Sequence, residues 1–151
     1  MRGIFGLDPG WGITAVRIAT ALVFIHAGYG KLFVSGVDKV TANMTRYGLP
    51  VPEAFAWTAA TMELFGGLAL LVGLFGRWLG LFYTIEFAIA FFWVKLRLAS
   101  FADGRLDMFL LASGILLFLA GPGRAAVDGL WLEKGARAAP RAVDARARTA
   151  A

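Results

Sequence analysis

The chain has 151 residues, no cysteine, one histidine and a net charge of +5. Its hydrophobic fraction of 59% and mean hydropathy of +0.70 exceed the roughly 45–50% apolar content of soluble domains, which points to a membrane protein. Without cysteine, disulfides, thiolate chemistry and Cys-held haem or clusters are excluded within the chain, and one histidine cannot build a multi-His metal site in a single copy.

The first apolar segment covers about residues 11–34. A bilayer core of about 30 Å needs about 20 helical residues, so it is long enough to span. It carries Arg17, His26 and Lys31. Intramembrane charges cost about 2.5–3.5 kcal/mol each on insertion scales, so each one needs an answer. The length of this run and its internal charges favour a retained helix over a cleaved signal segment.

Residues 35–53 hold glycines, Asn43 and two prolines, which reads as a loop with one short helix within 38–48. A second apolar segment covers about 54–76 and a third about 78–98, and they meet in a tight hairpin at Gly76-Arg77. After a polar link at 99–105, a fourth segment covers about 106–121. The run GPGR at 121–124 stops it, because proline cannot continue a helix and glycine permits positive φ. Residues 133–151 are rich in Ala and Arg with no core pattern, which predicts a basic, disordered tail. The apolar runs are continuous rather than alternating, and lipid admits only helices or closed barrels. The expected fold is therefore all-α and integral to the membrane, a four-transmembrane-helix bundle over 1–132.

Lys and Arg counts favour cytoplasmic termini. The tail would meet anionic lipid or solvent. Its Ala-rich spacing gives no case for nucleic acid.

At 1.5 Å per residue, depths can be matched between helices. Arg17 and Glu86 both fall roughly 9–12 Å from the terminal side, which suggests an ion pair. His26 and Glu63 both fall roughly 12–14 Å from the other side, which suggests a second contact and a candidate polar site. Lys31 and Asp107 sit near the outer helix ends and form the third candidate pair. Angles complicate this scheme. At 100° per residue Arg17 and Lys31 share a face with Ala21, Phe24 and Gly28, whereas His26 points about 180° from Arg17. Lys31 is equally suited to snorkelling. On the second segment Ala56, Ala59, Ala60, Glu63, Gly66, Gly67, Leu70 and Gly73 form a small-residue stripe suited to close helix approach. On the fourth, Asp107, Gly114 and Gly121 recur by sevens. These charges either fix helix register or form a site that binds a headgroup or carbonyl, or moves a proton. Phe91, Phe92 and Trp93 read as interfacial anchors, with ring stacking on a quinone as the alternative.

Several stretches resemble the DoxX family of small membrane proteins. RIATALVFIHAGYGKLF is similar to the family's first helix, with Gly28 and Lys31 at its Gly and Lys. YGLPVPEAFAW and MELFGGLALLVGLFGRW resemble its Gly-Leu-Pro, Glu, paired-Gly and Gly-Leu-x-x-Arg pattern, here Gly48, Leu49, Pro50, Glu63, Gly66, Gly67, Gly73, Leu74 and Arg77. GPGRAAVDGL resembles its closing motif, here Gly121 to Arg124 and Asp128. The likeness covers about residues 14–130. It implies a four-helix inner-membrane protein. The family name comes from a thiosulfate:quinone oxidoreductase, and some relatives resemble partners in membrane complexes handling sulfur or oxidative stress.

The leading expectation is an accessory membrane subunit of a larger, redox-linked complex. The first alternative is a quinone-binding component of a membrane oxidoreductase, with His26 at a quinone oxygen and Glu63 setting its protonation. The second is a small-solute transporter or channel. The sequence holds no nucleophile–base–acid set, phosphate loop or metal-ligand spacing. Whether the chain is itself an enzyme is left open. Quinone or a bound lipid is the cofactor to look for, other membrane subunits or a second copy the partners.

Overall fold

A computed structural model of the chain describes residues 8–96 and 101–129. The predicted tail at 133–151 and the basic residues Arg2 and Arg97 lie outside the described residues. All regular structure among the described residues is helical. In chain order it comprises α1 (Gly10–Val34), α2 (Val37–Arg46), α3 (Pro52–Val72), α4 (Gly76–Lys95) and α5 (Arg105–Ala120).

Three helices, α1, α3 and α4, are long and apolar enough to cross a membrane. The fourth expected span is not. α5 has 16 residues, about 24 Å of helix against a core of about 30 Å. Its Gly104 start and Gly121 stop truncate it at both ends, with φ +83° at Gly121. Among the described residues the architecture is thus three membrane-length helices, a shorter apolar helix packed along α4, and the small amphipathic α2 packed against α3.

Small residues set the helix spacing. The expected stripe on α3 is buried throughout, from Ala56 to Gly73. A methyl group added at Gly28 would strike the Leu64 backbone of α3, and one at Gly67 would meet Ile25 and the Phe24 Cβ at 3.1 Å. α1 and α3 therefore pack with backbones almost touching. Gly80 of α4 and Gly114 of α5 do the same: a Cβ at Gly80 would lie 2.6 Å from the Phe118 nitrogen, and one at Gly114 2.9 Å from the Thr84 nitrogen. Gly121 plays a different part from the packing role expected of it. It ends α5 at positive φ and only meets Arg77 at ordinary contact distance.

The core sits where these pairs meet. Phe24 of α1 lies 3.9 Å, centroid to centroid, from Tyr83 of α4 and 5.4 Å from Phe87. Leu70, Leu79, Leu110 and Leu117 complete it. Outside, Leu22, Phe65, Leu68, Trp78, Phe92, Phe109 and Leu119 are exposed, the apolar coat of a protein solvated by lipid.

Each membrane-length helix contains one stretch of wide π turns: Gly30–Val34 in α1, Met62–Gly66 in α3 and Ile89–Lys95 in α4. Such turns interrupt the regular ladder and recur at functional sites.

Candidate functional site

The three wide turns converge on one cavity of about 430 Å³. Lys31 comes from the α1 turn, Glu63 from the α3 turn, and Ile89, Ala90, Val94 and Lys95 from the α4 turn. Glu86 and Asp107 add carboxyl groups, and Asn43 of α2 and Tyr47 just after it also line the cavity. Phe55, Phe82, Ile85 and Phe87 make the wall largely apolar. A volume of this size suits a small ligand, typically held by an apolar lining with few polar groups.

Lys31 and Glu63 are the polar centre. Lys31 Nζ donates to both oxygens of the Glu63 carboxylate. Glu63 is 3% exposed, while the lysine side chain keeps 29% of its surface open. The pair follows from the close approach one turn away. Gly28 brings the α1 backbone against Glu63-Leu64, and Lys31, three residues on, shares that face. Its long stem then reaches inward from near the helix end. Tyr83 fixes the same turn from α4, its hydroxyl donating to the Met62 carbonyl at 2.9 Å.

None of the three contacts expected from depth is formed. His26 does not meet Glu63. It is exposed on the outer face of α1 between Leu22, Tyr29 and Phe33, opposite the buried face, and Lys31 takes Glu63 instead. Lys31 is therefore not paired with Asp107 either, although Asp107 lines the same cavity within electrostatic range of Lys95 and Lys31. Arg17 does not meet Glu86. Its guanidinium donates to the carbonyls of Pro122 at 2.6 Å, Ala125 at 3.1 Å and Arg124 at 3.4 Å. The loop after α5 folds back under α1 and takes the charge that depth alone assigned to α4.

That loop is a latch at the opposite end from the cavity. Thr14 Oγ1 donates to the Arg124 carbonyl at 2.6 Å. Asp128 accepts from the Phe75 and Gly76 backbone N–H groups at 2.9 and 2.8 Å, capping the start of α4. Its own N–H donates to the Gly73 carbonyl at 3.1 Å. A carboxylate at a helix N-terminus is favoured by the unpaired amides and the helix dipole. The closing GPGR and Asp of the sequence, with Arg17, thus fasten α5 to α1 and to the α3–α4 hairpin.

Sequence reasoning missed the ring residues that face the cavity. Phe91 is buried and Phe92 and Trp93 are exposed, and none of the three lines the cavity; Phe55, Phe82, Phe87 and Tyr47 do. Only the position of the α2 helix over the site, fixed by tertiary packing, marks them out. No cluster of His, Asp and Glu suited to a metal ion occurs among the described residues.

The DoxX family model matches residues 12–96, which include Lys31, Glu63 and Glu86. The chain is 28% identical over 117 residues to "Putative oxidoreductase CatD" of Bacillus subtilis (strain 168), covering 78% of this chain and 84% of that protein. It is 34% identical over 76 residues to "Inner membrane protein YphA" of Escherichia coli (strain K12), covering 48% of this chain and 53% of that one, about half of each. No solved structure matches the chain at a significant level. With more than half its length matched by the family model, the chain is a membrane protein that belongs to the DoxX family.

Proposed function

We propose that this protein is the quinone-binding membrane component of an oxidoreductase. The observation that carries the reading is the cavity itself. It lies at the level of the membrane-length helices, is walled by Phe55, Phe82 and Phe87, and holds the Lys31–Glu63 pair, with Glu86, Asp107 and Lys95, in a largely apolar surface. A ligand that fits must be lipid-soluble and must carry oxygens able to hydrogen-bond, which is the chemistry of a quinone ring. One relative carries oxidoreductase in its name, which supports a redox setting. In this reading Lys31 donates to a ring oxygen and Glu63 holds Lys31 in place; His26 has no part in it.

The topology proposed with it has cytoplasmic termini in an inner membrane, with α5 crossing as a short fourth span. Its exposed Leu106, Phe109, Ile115 and Leu119 would face lipid. The cavity then lies toward the outer leaflet.

The accessory-subunit role rests on a separate observation. His26 stands alone on an apolar outer face of α1. A polar ring facing lipid there is costly, so that face suits a neighbouring subunit with a hydrogen-bonding group. The two roles are compatible in one complex.

Purification in mild detergent, with lipid extraction and mass spectrometry of all that remains bound, tests both. About one quinone per chain supports the binding reading. A stoichiometric larger membrane protein, lost in His26→Leu, supports the subunit role. A bare chain with neither contradicts both.

A further inference from the structure

Beside the Lys31–Glu63 pair, one carboxyl of the cavity has a buried oxygen without a partner. Glu86 lines the cavity from α4, and its Oε2 is buried without a hydrogen-bond partner. Of the basic groups, Lys95 also lines the cavity but lies within electrostatic range of Asp107 rather than Glu86, and the other two are engaged. Lys31 is bound to Glu63 through both carboxylate oxygens, and Arg17 is bound to the carbonyls of the loop after α5. A buried polar atom without a partner costs about 1–3 kcal/mol, and the side chain that carries it lines the cavity, so a small rotation of the carboxyl lets a ligand there supply the missing partner. Glu86 lines the same cavity as Lys31 and lies within electrostatic range of it. Around Glu86, Phe82, Ile85, Phe87, Ile89 and Ala90 offer no competing side-chain group.

We propose that Glu86 is the specificity-determining residue of this cavity: its carboxyl O–H donates to one oxygen of the ligand while Lys31 donates to another. This rests on the quinone reading above and narrows it. The ligand must carry two oxygen functions on one ring or short frame, and a single-headed lipid such as a fatty alcohol satisfies only one end. Glu86 then discriminates by chemistry rather than size. An apolar replacement leaves the cavity open to hydrocarbon and costs only the oxygenated ligand.

The test is equilibrium binding to the full chain in nanodiscs, corrected for partition into empty discs. The probes are a decyl-substituted 1,4-benzoquinone and decylbenzene, which has the same tail and a ring without oxygen. Glu86→Gln keeps a hydrogen-bonding group and is expected to bind the benzoquinone within about threefold of wild type. Glu86→Leu is expected to weaken it about tenfold, the equivalent of one lost hydrogen bond, and to leave decylbenzene unchanged. Thermal unfolding of Glu86→Leu at or above the wild-type temperature shows that the fold is kept. Equal benzoquinone affinity in Glu86→Leu and wild type overturns the proposal. So does equal loss in the Leu and Gln variants. Ala59→Phe, which fills the cavity wall, separates this failure from the broader one. If wild type binds no benzoquinone, or Ala59→Phe does not reduce it, the quinone reading falls and the role of Glu86 with it.

Discussion

Lys31 and Glu63, thirty-two residues apart in sequence, meet as a two-point ion pair at the wall of an open cavity between the helices. Glu63 is fully enclosed and Lys31 is its direct counter-charge. Removing one partner of a buried pair leaves an uncompensated charge, which costs about 3–5 kcal/mol, whereas replacing both with apolar residues is often neutral. Lys31→Met should therefore destabilise the protein by about 3 kcal/mol, and the double replacement Lys31→Met with Glu63→Leu should recover most of that loss. Reversible unfolding in mixed micelles, arranged as a double-mutant cycle, measures the coupling.

The latch at the other end makes a separate prediction. Arg17 serves carbonyls of the loop after α5, and Asp128 caps α4. Hydrogen bonds to charged groups contribute about 1.5–3 kcal/mol. Arg17→Met should cost about 2–4 kcal/mol, since several acceptors are orphaned together. Hydrogen exchange at residues 121–129 should accelerate in this variant while exchange around Glu63 stays slow. Uniform acceleration across the bundle would count against a local latch.

Glycine positions should separate into two classes. At Gly114 an added methyl would meet the Thr84 nitrogen at 2.9 Å, and at Gly80 the Phe118 nitrogen at 2.6 Å. Overpacking of this kind costs about 1–3 kcal/mol. At Gly12 and Gly30 an added methyl meets nothing within 4 Å. Alanine there should be neutral or stabilising by about 0.5–1 kcal/mol, because glycine is a poor helix former. Four alanine variants compared by thermal unfolding decide whether the backbone contacts are as close as described.

The chain has no native cysteine, which makes topology directly measurable. Ser35→Cys, at the cavity end of α1, should react with an impermeant maleimide added outside intact cells. Arg124→Cys, in the loop at the opposite end, should react only after the membrane is opened. The reverse pattern would place the cavity toward the cytoplasm.

How far the sequence foretold this arrangement varies by residue. The buried stripe from Ala56 to Gly73 and the buried face of Arg17, Ala21, Phe24 and Gly28 were legible, because helical periodicity sorts faces regardless of the neighbours. The pairings were not. Matching charges by Cα depth treats side chains as short, and so misses a lysine stem reaching down from the helix end to Glu63. It also treats loops as outside the bundle, and so gave Arg17 to Glu86 when the chain after α5 folds back to supply carbonyls. The wide turns at Lys31, Glu63 and Ile89–Lys95 left no trace in composition, since they arise where packing and the cavity distort a regular helix. The expected fourth span is shorter than the membrane-length helices, because Gly104 and Gly121 bound its apolar run at 16 residues.

The most direct measurement is photo-crosslinking of a benzoquinone bearing a diazirine to the protein in native membranes, with the labelled residues mapped by mass spectrometry. Binding in the cavity predicts labels concentrated on Phe55, Phe82, Ile85 and their neighbours, suppressed by excess unlabelled quinone and absent in Ala59→Phe. Labels spread over the exposed Leu22, Phe65 and Leu119 faces, indifferent to competitor, would mean that the quinone merely dissolves in the surrounding lipid and that the cavity serves some other ligand.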